Sequence, residues 1–251
     1  MSKLKSYRIA VVGATGLVGQ EMLNVLDERA IPISTLIPLA SARSAGETVT
    51  FQGQTLTVEE ATPERFKDVD IVLMSAGADI ARTLAPAAAA HGAIVIDNSS
   101  AFRNDVDVPL VVPEVNAADI AGYKARHIIA NPNCSTIQMM VALGPLHAAA
   151  QAERLIISTY QAVSGAGKDG LEELGSQVTA LFNQGEITPA VFTKRIAFNC
   201  VPHIDTFLPD GYTAEEHKMR DESRRILHAP KLGVSATCVR VPVFNGHAVC
   251  V

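Results

Sequence analysis

The apolar positions near the start of the chain change period twice within twenty residues. In "YRIAVVGATGLVGQEMLNVL", Ile9, Val11 and Val12 are strand formers, a glycine-rich turn follows, and Met22, Leu23, Val25 and Leu26 then recur at helical spacing. A second strand is predicted near Thr35 to Leu39, a small hairpin around Gln52-Gly53 in "FQGQTLTV", and a buried strand in "VDIVLMSAG". "DIARTLAPAAAAHG" reads as a helix closed by Gly92, and "AIVIDNSS" as another strand. Strands alternating with helices predict an α/β fold, a Rossmann-like, doubly wound parallel sheet over residues 1–133.

The pattern changes after Cys134. A helix is expected from Ser135 to His147, a long strand in "RLIISTYQAVSG", helices in "GLEELGSQVTALF" and "TAEEHKMRDESRRIL", and a strand in "VSATCVRVPVF". Longer strands mixed with helices predict an α+β second domain over residues 134–251. "VFNGHAVCV" reads as a strand in progress, so this second domain is expected to be incomplete at its C-terminal end. A chain stopping at Val251 is expected to be poorly active or unstable, with strand edges and core uncovered.

Composition narrows the classes. The 251 residues are 48% hydrophobic and 19% charged, which is ordinary for a globular chain, and no stretch is apolar for long enough to span a bilayer. The opening residues read as a first strand and not as a signal peptide. A formal net charge of -5 gives nucleic acid or an anionic membrane nothing to bind, while small anions remain open to local arginines and helix N-termini. The four cysteines, Cys134, Cys200, Cys238 and Cys250, form no CxxC pair, so neither a disulfide framework nor a metal site is implied, and a cytoplasmic location is the default.

Two stretches carry chemistry. Gly13-Ala14-Thr15-Gly16-Leu17-Val18-Gly19 follows a strand and opens a helix, where glycines let backbone approach a pyrophosphate and the helix N-terminus meets its charge. The same spacing also serves as a plain packing turn. The region after the second strand, "PLASARSAG", offers no acid for ribose hydroxyls; Ser41, Arg43 and Ser44 suit a 2′-phosphate, which points to NADP unless Arg43 is simply solvated. "IIANPNCSTIQMM" places Cys134 after a turn and at a helix start, where the dipole stabilises a thiolate. On local pattern alone Cys134 reads equally as a nucleophile or a buried structural thiol. Cys200, Cys238 and Cys250, in or beside apolar runs, are expected to be buried and structural. A thiol beside a nicotinamide implies aldehyde or acyl redox chemistry, which needs an acid/base; of the seven histidines His247, at the end of "RVPVFNGH", is the best placed.

"GATGLVG", "SARSAG", "SSAFR", "NPNCST", "QAVSGAGK", "EEHKMRDES" and "RVPVFNGH", in this order, resemble the aspartate-β-semialdehyde dehydrogenases, and "GKDGLEEL…TPAVFTKRIAFNCVPHID" resembles the helical insertion of the bacterial enzymes. The resemblance implies that Cys134 is the nucleophile carrying an acyl thioester, that Gln161 orients the intermediate, and that His247 is the acid/base. It implies that Arg240 holds the substrate carboxylate by a bidentate fork. It places Glu216 on the substrate amino group, Arg103 and Lys218 on phosphate, and Asn133 close by. Gly13, Thr15, Gly16, Leu17, Val18, Arg43, Ser44, Ser164 and Gly165 would contact NADP. The chain would be a catalytic and dimerisation domain following an NADP-binding one, a homodimer or homotetramer when full length.

The implied reaction is reductive dephosphorylation of β-aspartyl phosphate by NADPH, with His247 acting as imidazolium, in lysine, threonine and methionine synthesis. The family commonly shows "GHS" and then an acid where this chain has "GHAVCV". Two rivals share the chemistry or part of it: N-acetyl-γ-glutamyl-phosphate reductase, against which "NPNCST" argues, and a truncated NADP-binding protein without catalysis.

Overall fold

A computed structural model describes residues 6–251 as two compact units, one ending at Pro132 and the other beginning at Asn133. In the first unit the elements are β1 (Tyr7–Val12), α1 (Leu17–Glu28), β2 (Ile33–Ala40), β3 (Thr48–Phe51), β4 (Gln54–Thr57), β5 (Glu59–Glu60), β6 (Ile71–Met74), α2 (Ala78–Ala90), β7 (Ile94–Asp97), α3 (Pro113–Asn116) and β8 (Ile128–Ala130). Six strands pair in the order β5-β2-β1-β6-β7-β8, all parallel. The doubly wound expectation is met. Ile9, Ala10, Val11 and Val12 are all buried, consecutive apolar residues being what a strand covered on both faces requires. The chain reverses direction of winding at β1, between β2 and β6, and the crevice at its carboxyl end is where such sheets bind ligands.

The hairpin forms as expected. β3 and β4 pair antiparallel across Gln52 and Gly53, whose φ values of 50° and 73° are the mirror-image turn that matches strand twist. The helix in "DIARTLAPAAAAHG" ends before Gly92 at φ 89°, although Pro86 sits inside it.

The second unit contains α4 (Cys134–Ala150), β9 (Arg154–Gln161), α5 (Gly167–Phe182), α6 (Ala214–Ile226), β10 (Gly233–Arg240) and β11 (Ala248–Cys250). Its sheet has the order β10-β9-β11, with β10 parallel to β9 and β11 antiparallel. The strand expected to run on through "VPVF" stops at Arg240. Pro242 has no N–H for the ladder, and Val243 N–H turns back to the Val241 carbonyl. Along the rest of the insertion, Gln177 on α5 accepts from the N–H groups of Ile196 and Ala197 at 2.8 and 3.1 Å, and Leu174, Phe192, Ile196 and Val201 close a small core there.

Residues on the buried face of this sheet repeat with period two. Leu155, Ile157, Thr159 and Gln161 point inward from β9, as do Ala236, Cys238 and Arg240 from β10. Register pairs Gln161 with Arg240, so both polar side chains lie side by side at the carboxyl ends of parallel strands.

Candidate active site

Cys134 is the first residue of α4 and is exposed, and Asn133 caps the helix. The Asn133 Oδ1 accepts from the N–H of Ser135 at 2.9 Å and of Thr136 at 3.3 Å, which satisfies orphan donors and sets the direction in which the first turn leaves the loop. Burial is therefore the wrong alternative for Cys134. It is also wrong for Cys200 and Cys250, both exposed, and only Cys238 is the buried structural thiol expected of all three. On the edge strand β11, Val249 is half-buried and its neighbours Ala248 and Cys250 face out, so apolar neighbours in sequence do not bury a thiol. Burial pushes the Cys238 thiol up to about 12.

Gln161, 1% exposed, donates from Nε2 to Glu215 Oε1 at 3.2 Å and to Thr159 Oγ1 at 3.3 Å. Glu215 Oε1 also accepts from Asn133 Nδ2 at 2.9 Å. One buried carboxylate oxygen thus joins the thiol's capping residue to the residue at the end of β9. Lys218, on the next turn of α6, donates to Asp205 Oδ2 at 2.7 Å and to Glu215 Oε2 at 3.4 Å. Burial opposes the Lys218 charge, but the Asp205 hydrogen bond and the charges of Glu215 and Asp205 outweigh it and hold its ammonium above the ordinary lysine value.

Glu216 does not occupy the place expected of it. Its Oε2 accepts from Thr213 N–H at 2.7 Å while its own N–H donates to Thr213 Oγ1 at 3.3 Å, a capping box, and its Oε1 accepts from Cys238 N–H at 3.1 Å. Both oxygens are committed to backbone. The carboxylate facing Asn133 and Gln161 is that of Glu215. Sequence carried the signal: Thr213-x-x-Glu216 is a capping-box spacing and assigns Glu216 to the helix end.

Arg240 and His247 meet at Ala162. Arg240 Nη1 donates to the Ala162 carbonyl at 2.7 Å, and Ala162 N–H donates to His247 Nδ1 at 3.0 Å. Burial lowers the Arg240 guanidinium from its ordinary value, and the negative charge of Glu215 opposes that fall. Burial likewise lowers His247, the Arg240 charge lowers it further, and Glu215 acts in the other direction. A ring whose Nδ1 accepts from a peptide N–H has no proton there, so His247 is a neutral imidazole with its proton on Nε2. The imidazolium that the resemblance implies is disfavoured in this arrangement: a second ring proton would face the Ala162 N–H beside a buried guanidinium. Ser164 and Gly165 lie in the turn after β9. A Cβ on Gly165 would lie 2.6 Å from Arg240 Nη1 and 3.3 Å from His247 Nε2, so only glycine leaves that face open.

The remaining site residues belong to the first unit. Gly13 has φ 84°, and a Cβ there would run into the Ser75 carbonyl; a Cβ on Gly19 would strike the Gly13 carbonyl. Around this turn Thr15 is half-buried and Gly16 exposed, and Leu17 and Val18 show 37% and 46% of their surface at the start of α1. A cleft of about 100 Å³ lies beside it, lined by Val12, Gly13, Ala40, Ser41, Ala61 and Ala76. The short turn Ala42–Ser44 carries exposed Arg43 and half-buried Ser44 past the end of β2. Glu60, from β5, also lines the cleft, an acid the linear order hides because β5 follows a hairpin. These groups fit a dinucleotide. Arg103 donates from Nη2 to the Asn98 carbonyl at 2.9 Å; the loop is braced by Asp97, whose carboxylate accepts from Ser99 N–H and Oγ at 3.0 and 2.8 Å.

Known families match along most of the chain. Residues 8–123 match the family described as semialdehyde dehydrogenase, NAD binding domain, and residues 143–251 match semialdehyde dehydrogenase, dimerisation domain. The aspartate-semialdehyde dehydrogenase of Bacillus subtilis is 53% identical over 97% of this chain and 72% of its own length. The chain belongs to the aspartate-semialdehyde dehydrogenase family. It is therefore an oxidoreductase of amino-acid biosynthesis with a nucleotide-binding domain. A solved aspartate-semialdehyde dehydrogenase II from Vibrio cholerae, complexed with ASA, superposes with TM-score 0.96 at 50% identity, covering 98% of this chain and 73% of that one. An aspartate-semialdehyde dehydrogenase with NADP from Candida albicans matches at TM-score 0.72 and 28% identity, covering 98% and 70%. Among the described residues, no helix is long and apolar enough to cross a membrane.

Proposed function

We propose that the chain reduces β-aspartyl phosphate to aspartate semialdehyde with NADPH, reversibly, through a thioester on Cys134, in the pathway to lysine, threonine and methionine. The observation that carries the reading is the exposed Cys134 thiol at the start of α4, in one unit with Arg240, Gln161, Glu215, Lys218 and His247. The positive end of α4 favours negative charge on sulfur.

The sulfur attacks the acyl carbon, the carbon–oxygen bond to phosphate breaks, and phosphate leaves with its electron pair. Arg240 takes the substrate α-carboxylate, for which a planar fork is suited. Glu215 takes the α-ammonium, a pairing that keeps its buried charge compensated. Lys218 holds phosphate, a role the resemblance also gives to Arg103. When bound, NADPH supplies the hydride that reduces the thioester carbonyl. His247 Nε2–H hydrogen-bonds the oxygen on which charge develops and keeps its proton, and the alkoxide re-forms the carbonyl as the carbon–sulfur bond breaks to return the thiolate. Gln161, fixed by Thr159 and Glu215, orients the acyl group.

Arg43 and Ser44, in the turn after β2, support NADP through the 2′-phosphate, whereas Glu60, which lines the cleft beside the glycine turn, is the kind of group that recognises a free ribose hydroxyl. Exposed Ile156 and Tyr160 on the outward face of β9, 64% and 48% accessible, support a homodimer across that sheet face. The exposed thiols support a reducing cytoplasmic location.

The test is NADPH formation from aspartate semialdehyde, NADP and phosphate. Activity lost in Cys134→Ala, absent with N-acetylglutamate semialdehyde and weaker with NAD is expected. Equal turnover by the Cys134→Ala variant removes the covalent route. Sedimentation of Ile156→Asp against the parent chain tests the dimer face.

A further inference from the structure

α6 meets the thiol-bearing helix with a single face. Glu215, Met219 and Glu222 follow one another at helical spacing, and all three are buried, at 5%, 0% and 3% exposure. Glu215 takes the Asn133 side chain, as described. Met219 Sδ accepts from Thr136 Oγ1 at 3.5 Å. Glu222 Oε2 accepts from the backbone N–H of Asn133 at 2.7 Å.

These contacts leave Asn133 no polar atom without a partner. Its N–H is on Glu222, its Nδ2 on Glu215, its Oδ1 on the N–H groups of Ser135 and Thr136, and its carbonyl on Ile137 N–H at 2.9 Å. A residue tied at both its backbone and its side chain has its φ, ψ and χ angles fixed together. Cys134 follows directly, so the same bonds set where its sulfur sits and how the first-turn N–H groups point toward it. Burying a carboxylate two turns beyond the substrate-facing Glu215 costs several kcal/mol unless its partners compensate. The carboxylate presents to the Asn133 N–H an acceptor that a hydrophobic residue of the same volume would lack.

We infer that Glu222 is a positioning residue for Cys134, acting through the Asn133 N–H to hold the first turn of α4 in the geometry that makes the thiol reactive. The inference rests on the reading of Cys134 as the nucleophile. It assigns Glu222 no contact with substrate.

The protein carries its own controls. Cys200 and Cys250 are exposed thiols away from any helix start, and Cys238 is buried. Iodoacetamide labelling of the folded chain, read thiol by thiol by mass spectrometry, therefore gives Cys134 reactivity relative to two references, with Cys238 reporting loss of structure. Glu222→Gln and Glu222→Leu remove the same charge, but only the glutamine keeps an oxygen for the Asn133 N–H. The Cys134-to-Cys200 labelling ratio is expected to be about tenfold lower in Glu222→Leu than in Glu222→Gln, with Cys238 protected in both, since helix-end alignment sets thiolate population. Where turnover is measured, kcat should fall in the same order with KM for the semialdehyde unchanged. Equal labelling ratios in the two variants overturn the inference, as does a fall seen only together with Cys238 exposure. If the nucleophile reading itself is wrong, a different result appears: parent Cys134 labels no faster than Cys200, and Cys134→Ala keeps its turnover.

Discussion

Arg240 and His247 are anchored on opposite ends of one residue's backbone. The carbonyl of Ala162 accepts from Arg240 Nη1 at 2.7 Å and its N–H donates to His247 Nδ1 at 3.0 Å. The guanidinium that would hold the substrate carboxylate and the imidazole that would meet the reacting oxygen are therefore spaced by one residue's backbone, and the Arg240 charge disfavours the protonated form of His247. This arrangement can be tested from several sides.

The first test is titration. His247 should titrate below the ordinary histidine value of 6.5, because burial and then the Arg240 charge disfavour its protonated form. It stays neutral until pH falls through that lowered value; below it Nδ1 gains a proton and can no longer accept from the Ala162 N–H, so activity that depends on this ring orientation is kept down to that point and falls below it. Replacing Arg240 with leucine should move the His247 NMR midpoint up, and Glu215→Gln should move it down. A midpoint unmoved in both variants would contradict the assigned couplings.

Gly165 is expected to be intolerant of even one methyl group. The Cβ of Gly165→Ala would lie 2.6 Å from Arg240 Nη1 and 3.3 Å from His247, and must displace one or both. We expect kcat/KM to fall about a hundredfold, the scale of a misplacement near 1 Å, while Tm changes little because Gly165 itself is exposed. Wild-type kinetics in this variant would show that neither side chain needs its observed place.

Glu215 and Glu216 should separate cleanly. Glu215→Gln should raise KM for aspartate semialdehyde roughly tenfold, a lost charge-assisted contact, with a small change in stability. Glu216→Ala should do the reverse: about 1 kcal/mol of stability lost with the capping box and KM retained. Thermal melts and steady-state kinetics on the pair decide it, and a KM effect confined to Glu216→Ala would reverse the assignment.

Arg43→Leu should raise KM for NADP about tenfold and leave KM for NAD alone, since only the former has a 2′-phosphate for the guanidinium to meet. Glu60→Gln is the counterpart: if Glu60 reads ribose, its loss weakens NAD and not NADP. Equal effects of Arg43→Leu on both cofactors would remove it from the specificity site.

Much of the fold is legible along the chain because its causes are local. The hairpin turn at Gln52-Gly53 and the capping of Ser135 and Thr136 by Asn133 act within four residues of themselves, so their spacing in sequence is their geometry. The strand that fails to run through Pro242 and the thiols of Cys200 and Cys250 that face out show the limit. Pro242 ends the ladder for want of an N–H, and whether the thiols of Cys200 and Cys250 are covered is set by which residues from elsewhere in the chain pack over them.

The sequence by itself determined the doubly wound sheet, the glycine turn after its first strand, and the thiol at a helix start. Only the tertiary structure decided that Glu215 and not Glu216 faces Asn133 and Gln161, that His247 is neutral, and that Glu222 holds the loop before Cys134. Adjacent residues on a helix point about 100° apart, and which of them faces a partner is set by the packing of that helix. The bonds concerned join residues 82, 85 and 89 positions apart, separations across which spacing in sequence carries no geometry.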